Sequence, residues 1–445
     1  MQLPPEYINQ TRLALGLQRF EHYMQSFEEE QPVSIRMNTS SDIIPSQLSP
    51  VAWCRDGYYI ECRPQFTFDP LLHAGCYYVQ EASSMFLDHV LQTVLPTLGG
   101  SGPTASSGDA PTPLVAFDFC AAPGGKSAIL SSRLPHGSLL VSNEPNPKRA
   151  QVLSENMQKW MLPSALDTAY PTTHAGQPKA DDRQPILVTC NYPRDFRNAK
   201  LWSDLILCDV PCSGEGMFRK DPATIGEWSL QNVEKCQRLQ RDIVSDAWQC
   251  LRRGGVLIYS TCTLNLKENE ENIRWMTEEL GAEPLPVPVL PDWHITGSLL
   301  PDFAAPVLRF IPGLTRGEGL FMAALRKPGT DDNYQSTAIK SLHRLIGSRL
   351  HVIPNTFLDS ICEADAAGCP RVDVDYRQAI SYLRREAITL PADVPCGQVI
   401  VTFKNHPLGL AKNIGNRANN LYPKEWRIKS THIPQDYETV FRHSG

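Results

Sequence analysis

No run of about 18 consecutive apolar residues occurs in this chain of 445, so no membrane-spanning helix is expected. The N-terminus, MQLPPEYINQ, has neither the basic nor the apolar region of a secretory signal. C-x-x-C spacing is absent among the 13 cysteines, and Cys208 and Cys212 in CDVPC have no His or Cys partner at finger spacing. A disulfide framework and a metal site are therefore not expected; free thiols in a reducing, cytoplasmic compartment are. Positive charge is also lacking. A formal net charge of −6 gives no global attraction for nucleic acid, so a polyanionic partner must be met by a local patch.

Two nucleotide-binding signatures are missing as well. There is no G-x-G-x-x-G, and although Gly125-Lys126-Ser127 ends like a phosphate loop, Cys120 occupies the position of that loop's first glycine. A P-loop NTPase would rest on those three residues alone.

The chain is too long for one ordinary core, which argues for two or three domains. Residues 99–113, GGSGPTASSGDAPTP, read as a flexible insertion, 171–185 as a polar loop and 327–336 as a linker. Three units follow: an N-terminal extension (1–112), a central domain (113–327) and a C-terminal region (337–445). An amphipathic helical stretch is expected over 5–30. Short apolar runs at 114–119, 138–144, 186–189 and 205–209, with another after Gly255, alternate with helical segments near 147–160 and 233–251. That alternation predicts a doubly wound, Rossmann-like α/β domain with a parallel sheet covered on both faces. Ligands of such sheets sit at the carboxyl ends of the strands.

The chemically interesting residues fall there. DFCAAPGGKS (118–127) places a small-residue turn between a strand and a helix, so Cys120, Ala121, Ala122, Pro123, Gly124, Gly125 and Lys126 bring backbone close to a ligand. Glu144, at the end of the next strand, can accept hydrogen bonds from both hydroxyls of a ribose. With no pyrophosphate signature, this pairing suits S-adenosylmethionine. Arg149 and Asn191 are further candidates for holding that cofactor. LILCDVPCSGEGMFRKDP (205–222) delivers Asp209 and Cys212 to the same sheet edge, and GGVLIYSTCTLN (254–265) delivers Cys262.

A thiol there has a chemical use. A thiolate added at carbon 6 of a pyrimidine makes carbon 5 nucleophilic enough to take a methyl group, and an acid beside ring nitrogen 3 offsets the developing charge. Lys126, Arg219 and Lys220 are the cations available to stabilise the thiolate, and the residues by themselves leave Cys212 and Cys262 both eligible. A non-catalytic RNA-binding factor that keeps the fold is the alternative from another class.

In the C-terminal region, Lys404, Lys412, Arg417, Lys424 and Arg427 stand in a stretch with Phe403, Tyr422 and Trp426 and a single acid, a local basic and aromatic patch suited to RNA.

Taken together, DFCAAPGGKS, DVPCSGEGMFRKDP and YSTCTLN resemble the motifs of the Nol1/Nop2/Sun family of RNA 5-methylcytosine methyltransferases. The ordered set runs from YYVQEASSM (77–85) to GEGLFMAAL (317–325). HPLGLAKNIGNRANNLYPKEWRI (406–428) is similar to the bacterial branch that modifies small-subunit ribosomal RNA, which carries a PUA-like, β-rich RNA-binding tail. The resemblance implies that Cys262 is the nucleophile, that Cys212 assists product release and that Asp209 contacts the cytosine ring. It places Lys126 near cofactor or substrate, and it implies RNA as partner: ribosomal RNA first, tRNA second. In one respect the chain departs from the family. Where many members have an acid reading the adenine in T-x-x-D, VTCNYPRDF (188–196) has Tyr192, with Asn191 before it and Asp195 after.

Overall fold

The computed structural model describes residues 3–41, 43, 45, 48–98, 112–165, 186–330, 338–430, 432–434 and 440–441. The loop 171–185, nearly all of the insertion at 99–113 and most of the linker at 327–336 lie outside them.

Gly16 takes φ 75°, a left-handed backbone that a helix interior cannot hold. It splits the stretch expected to be one helix into α1 (Pro5–Leu15) and α2 (Leu17–Gln25). A small antiparallel sheet follows, in which β1 (Val33–Met37) lies between β2 (Gly57–Ile60) and β3 (Tyr77–Val79).

The central sheet is built from β4 (Val115–Asp118), β5 (Leu139–Asn143), β6 (Ile186–Thr189), β7 (Ser203–Asp209), β8 (Leu251–Thr261), β9 (Glu283–Leu285), β10 (Leu320–Arg326) and β11 (Val352–Ile353). Its order is β9-β10-β8-β7-β4-β5-β6-β11, with Leu308–Phe310 pairing to β10. Both faces are covered. Ala116, Leu140, Leu207 and Ile258 pack with Leu91, Ile129 and Leu130 on one side. Val115, Phe117, Val141, Ile206 and Leu257 pack with Val244, Ala247 and Trp248 on the other.

The five strands from β4 to β8 are parallel, but β10 runs antiparallel to β8, and β11 antiparallel to β6. The sheet is therefore mixed rather than purely parallel. Burial on both faces makes a strand read as one apolar run whichever way it points, so periodicity carries no direction.

Helices α3 (Gly125–Arg133), α4 (Pro147–Ala165) and α5 (Leu230–Cys250) cover the sheet. Beyond residue 337, α6 (Ala338–Arg349) contributes Ile339, Leu342 and Ile346 to the second core, and β11 extends the sheet edge. The chain then forms a sheet in the order β12 (Arg371–Asp373), β13 (Gly397–Phe403), β14 (His406–Asn413), β15 (Ala418–Asn420). This last unit does not stand apart. Val399, Val401, Tyr382 and Leu408 share one core with Ile35, Met37 and Tyr77 of the N-terminal sheet.

Candidate active site

β4 and β7 are neighbours from which the chain winds in opposite directions, the switch point where an open sheet leaves a crevice. The turn after β4 is pinned on both sides: Phe119 N donates to Leu207 O at 3.0 Å and Ala121 N to Asn143 O at 2.9 Å. Gly124 has φ 117° and so has to lack a side chain, and a Cβ there would come within 2.9 Å of Met157. α3 starts at Gly125, so its first N–H groups face the crevice.

Ser127 and Lys126 are not arranged as in a phosphate loop. The Ser127 hydroxyl is buried and donates to Asp118 Oδ2 at 2.7 Å, while Lys126 Nζ lies 2.8 Å from Asp209 Oδ2. Asp118 is fully buried, and burial pushes its carboxyl up to about 7 against the opposing pull of Ser127. Burial pulls Lys126 down, but the Asp209 charge and hydrogen bond outweigh it, with Cys262 adding to the same effect, and the ammonium ends above its ordinary value.

Cys212 and Cys262 come from the ends of adjacent parallel strands, and their sulfur atoms are 3.2 Å apart. Both are half-buried. The hydrogen bond with Cys262 pushes Cys212 well above the usual thiol range, and burial adds to it. Burial does the same to Cys120 and Cys208. Of the three cations eligible to stabilise the thiolate, Lys126 is the one set against Asp209 in the crevice. Arg219 is committed to Glu318 at 3.3 Å.

Two buried carboxylates hold the cysteine loops. Glu215 Oε2 accepts from Leu264 N and Asn265 N at 2.8 and 2.9 Å, and its Oε1 accepts from Trp228 Nε1 at 2.9 Å. Glu268 Oε2 accepts from Ser213 N and Gln240 Nε2 at 3.0 and 2.7 Å. Gly216 N donates to Cys262 O at 2.7 Å, joining the two loops through the nucleophile candidate's own peptide. Sequence reasoning missed Glu215 and Glu268. Acids inside GEG and KENE read as ordinary loop and helix-start residues until the fold buries them.

Glu144 is where the sequence placed it, at the end of β5 and only 2 % exposed. Its Oε1 accepts from Asn146 N at 3.0 Å; Oε2 makes no hydrogen bond, although Arg149 Nη1 is 3.2 Å away. Arg149 also donates to Ala122 O at 2.9 Å, tying the acid to the turn. Asn143, also missed, donates to Asn191 O and accepts from Thr189 and Asn191 N. Asn191 Oδ1 is engaged by His351 N at 3.0 Å, so that oxygen serves the β11 edge. Tyr192 is exposed, beneath Arg194 at 4.8 Å.

The C-terminal candidates divide. Lys412, Arg417, Lys424 and Arg427 are exposed. Lys404 is half-buried in the two-residue turn Lys404-Asn405, whose φ values of 51° and 63° match a type I′ hairpin. Trp426 packs edge-on against Phe357 at 4.8 Å, with Lys159 over its ring at 5.3 Å, and so works inside the domain joint. Among the described residues no His, Cys, Asp or Glu cluster is arranged to hold a metal, and no helix is long and apolar enough to cross a membrane.

Known proteins resemble this chain over nearly its full length. The 16S rRNA methyltransferase RsmB/F family model matches residues 112–326. The models for the N-terminal domain of 16S rRNA methyltransferase RsmF and the methyltransferase RsmF PUA domain match 3–82 and 369–428. Ribosomal RNA small subunit methyltransferase F of Erwinia tasmaniensis is 27 % identical over 501 aligned positions, covering 95 % of this chain and 96 % of that one. The protein of the same name from Cronobacter sakazakii is 28 % identical, covering 85 % and 84 %. Among solved structures, NSun6 from Pyrococcus horikoshii with SFG superposes with a TM-score of 0.54 at 19 % identity, covering 74 % of this chain and 99 % of that one. A methyltransferase homolog protein from Pyrococcus horikoshii gives 0.52 at 22 %, covering 73 % and 100 %. At that identity the likeness speaks for the fold.

Proposed function

The chain belongs to the Nol1/Nop2/Sun family of RNA methyltransferases, and from that premise we propose that it methylates carbon 5 of a cytidine in small-subunit ribosomal RNA, using S-adenosylmethionine and a covalent Cys262–pyrimidine adduct. The observation that carries this reading is the sulfur pair, Cys212 and Cys262 at 3.2 Å, on the same sheet edge as the Lys126–Asp209 ion pair.

The residues fit the cofactor. Glu144 keeps one carboxylate oxygen without a hydrogen bond beside the turn, which suits a ribose hydroxyl. The turn 120–126 would hold the remainder against its backbone, with Arg149 fixing the acid. Asn191 keeps only its amide N–H groups to offer an adenine, because its carbonyl serves His351. When bound, S-adenosylmethionine supplies an electrophilic methyl group on a sulfonium sulfur.

The chain's own groups do the rest. The target base, drawn out of its stack, enters the crevice. Cys262 Sγ bonds to carbon 6 and carbon 5 becomes nucleophilic. Asp209, held by Lys126, meets the ring where charge develops. Once carbon 5 carries the methyl group, its proton is taken by Cys212 Sγ, whose own proton passes to water; the freed electron pair re-forms the ring double bond as the bond from Cys262 to carbon 6 breaks, and the Cys262 thiolate is restored. Two thiols this close do not both ionise readily, so one can attack as the thiolate while its partner carries a proton. We assign the attack to Cys262 and the proton-carrying role during release to Cys212, as the likeness of YSTCTLN and DVPCSGEGMFRKDP to the family's motifs implies. Ribosomal RNA is the substrate class we assign, and a cytoplasmic location fits free thiols.

Labelled methyl transfer to small-subunit RNA should vanish in Cys262→Ala. Full activity in that variant, with none in Cys212→Ala, would reverse the two roles.

A further inference from the structure

Gln80 follows β3 and is only 6 % exposed, yet its Oε1 has no hydrogen-bond partner. The adjoining backbone is satisfied: Gln80 N donates to Ser34 O, and Gln80 O accepts from Ser34 Oγ. Its Nε2 lies 3.1 Å from where a Cβ on Gly125 would stand, so the amide abuts the start of α3, one residue from Lys126. Gln80 is also among the residues lining a cleft of about 1040 Å³ between the N-terminal sheet and two loops of the central domain. A second orphan lines it too. Arg219 Nη1 reaches Glu318 at 3.3 Å and Nη2 reaches Glu29 O at 3.4 Å, but Nε, buried, has no partner.

Stability does not account for these groups. An unpaired buried amide costs free energy that an apolar side chain of equal length would not. Charge does not account for the cleft either. Arg63, Arg219, Lys220 and Arg316 along its walls are outnumbered by Glu29, Glu30, Glu61, Glu81 and Glu318, so it is no simple phosphate track. What it offers is directional hydrogen bonding beside the candidate catalytic turn. A primary amide presents one acceptor and one donor side by side, the pattern of a nucleobase edge. Bases of a single strand are open along their edges.

We propose that this cleft takes the RNA strand flanking the target cytidine, and that Gln80 is a specificity-determining residue whose amide pairs with the edge of one base in that strand. The inference rests on the reading of the site given above, because entry of the target base is what brings a strand to α3.

The test uses the full-length protein without cofactor. Fluorescein-labelled single-stranded RNAs with a central cytidine, each flanking position varied in turn, are titrated against wild type, Gln80→Leu and Gln80→Met. Wild type should prefer one base at one position by about 10- to 100-fold, and both variants should lose that preference. Both should also melt at the wild-type temperature or above it, since they remove an unpaired polar group. Unchanged base preference in either variant overturns the proposal. So does a lower melting temperature in both, which would make the amide a structural group. If wild type discriminates through Gln80 yet never methylates carbon 5, the reading of the reaction fails and this one stands. If methylation proceeds and the variants match wild type, this one fails alone.

Discussion

Cys212 and Cys262 stand 50 residues apart in the chain and hold their sulfur atoms 3.2 Å apart in the fold. The backbone makes the distance a rigid one, because β7 and β8 are hydrogen-bonded neighbours and Gly216 N is bonded to Cys262 O. A thiol in that position can hand a proton to, or take one from, whatever its partner has bonded.

Removing the proton carrier should therefore trap the adduct. Cys212→Ala is expected to accumulate a protein–RNA complex that survives denaturing electrophoresis, with turnover lowered about 10²- to 10⁴-fold. Cys262→Ala should form none. A trapped complex in Cys262→Ala and none in Cys212→Ala would exchange the assignments.

Lys126→Gln should leave RNA affinity near wild type but lower single-turnover methyl transfer about 10²- to 10³-fold, because Asp209 loses the ammonium that holds it where the ring's charge develops. Asp209→Asn should have the converse electrostatic effect on Lys126. With its partner charge gone, burial prevails and the ammonium titrates below its ordinary value, which the pH profile of lysine modification reads. A profile unchanged from wild type would show that the ion pair is not what holds the proton.

Asp118 gives a pH dependence of defined sign. Its folded value, about 7, lies above the unfolded 3.8, so the native state binds the proton more tightly than the unfolded chain. Stability from this group is fully present below about pH 4 and declines as pH rises to 7, by roughly 4 kcal/mol at most. Asp118→Asn keeps an acceptor for Ser127 and should flatten that part of the urea-unfolding profile. Parallel profiles for the two proteins between pH 4 and 7 would contradict it.

Gly216 is closed in on by backbone. A Cβ there would stand 2.6 Å from Gly319 O and 2.7 Å from Cys262 O, so Gly216→Ala has to displace the peptide of the proposed nucleophile. A loss of about 1–3 kcal/mol in unfolding free energy is expected. The adduct-trapping signal should fall with it, and an active, equally stable variant would mean the loops move freely.

In the C-terminal unit, Lys412, Arg417, Lys424 and Arg427 are exposed and available to phosphates. Replacing all four with Ala should reduce the slope of log affinity against log salt by about 0.7–0.9 for each phosphate that is no longer neutralised. An unchanged slope would place RNA elsewhere. Trp426→Ala, by contrast, should destabilise the fold, since its ring is packed against Phe357.

Much of this protein was legible because its chemistry is local in the chain. The turn 118–127 carries its strand, its glycine with positive φ and its helix start within ten consecutive residues. Strand ends at Glu144, Asp209 and Cys262 announced themselves as apolar runs stopping at a reactive side chain. What stayed hidden depends on residues far apart. β10 looks like any buried strand, and nothing in its pattern says that it runs against β8. Trp426 looks like a stacking platform until Phe357 is found against it.

Local spacing therefore determined the kind of domain, the candidate cofactor turn and the candidate thiols, because backbone conformation and burial period are properties of neighbouring residues. Only the tertiary structure decided that Lys126 pairs with Asp209, that the Cys212 and Cys262 sulfur atoms meet and that Gln80 is left with an unanswered acceptor. Those outcomes are set by desolvation and by distances of about 3 Å between side chains from different strands, and neither exists until the sheet has closed.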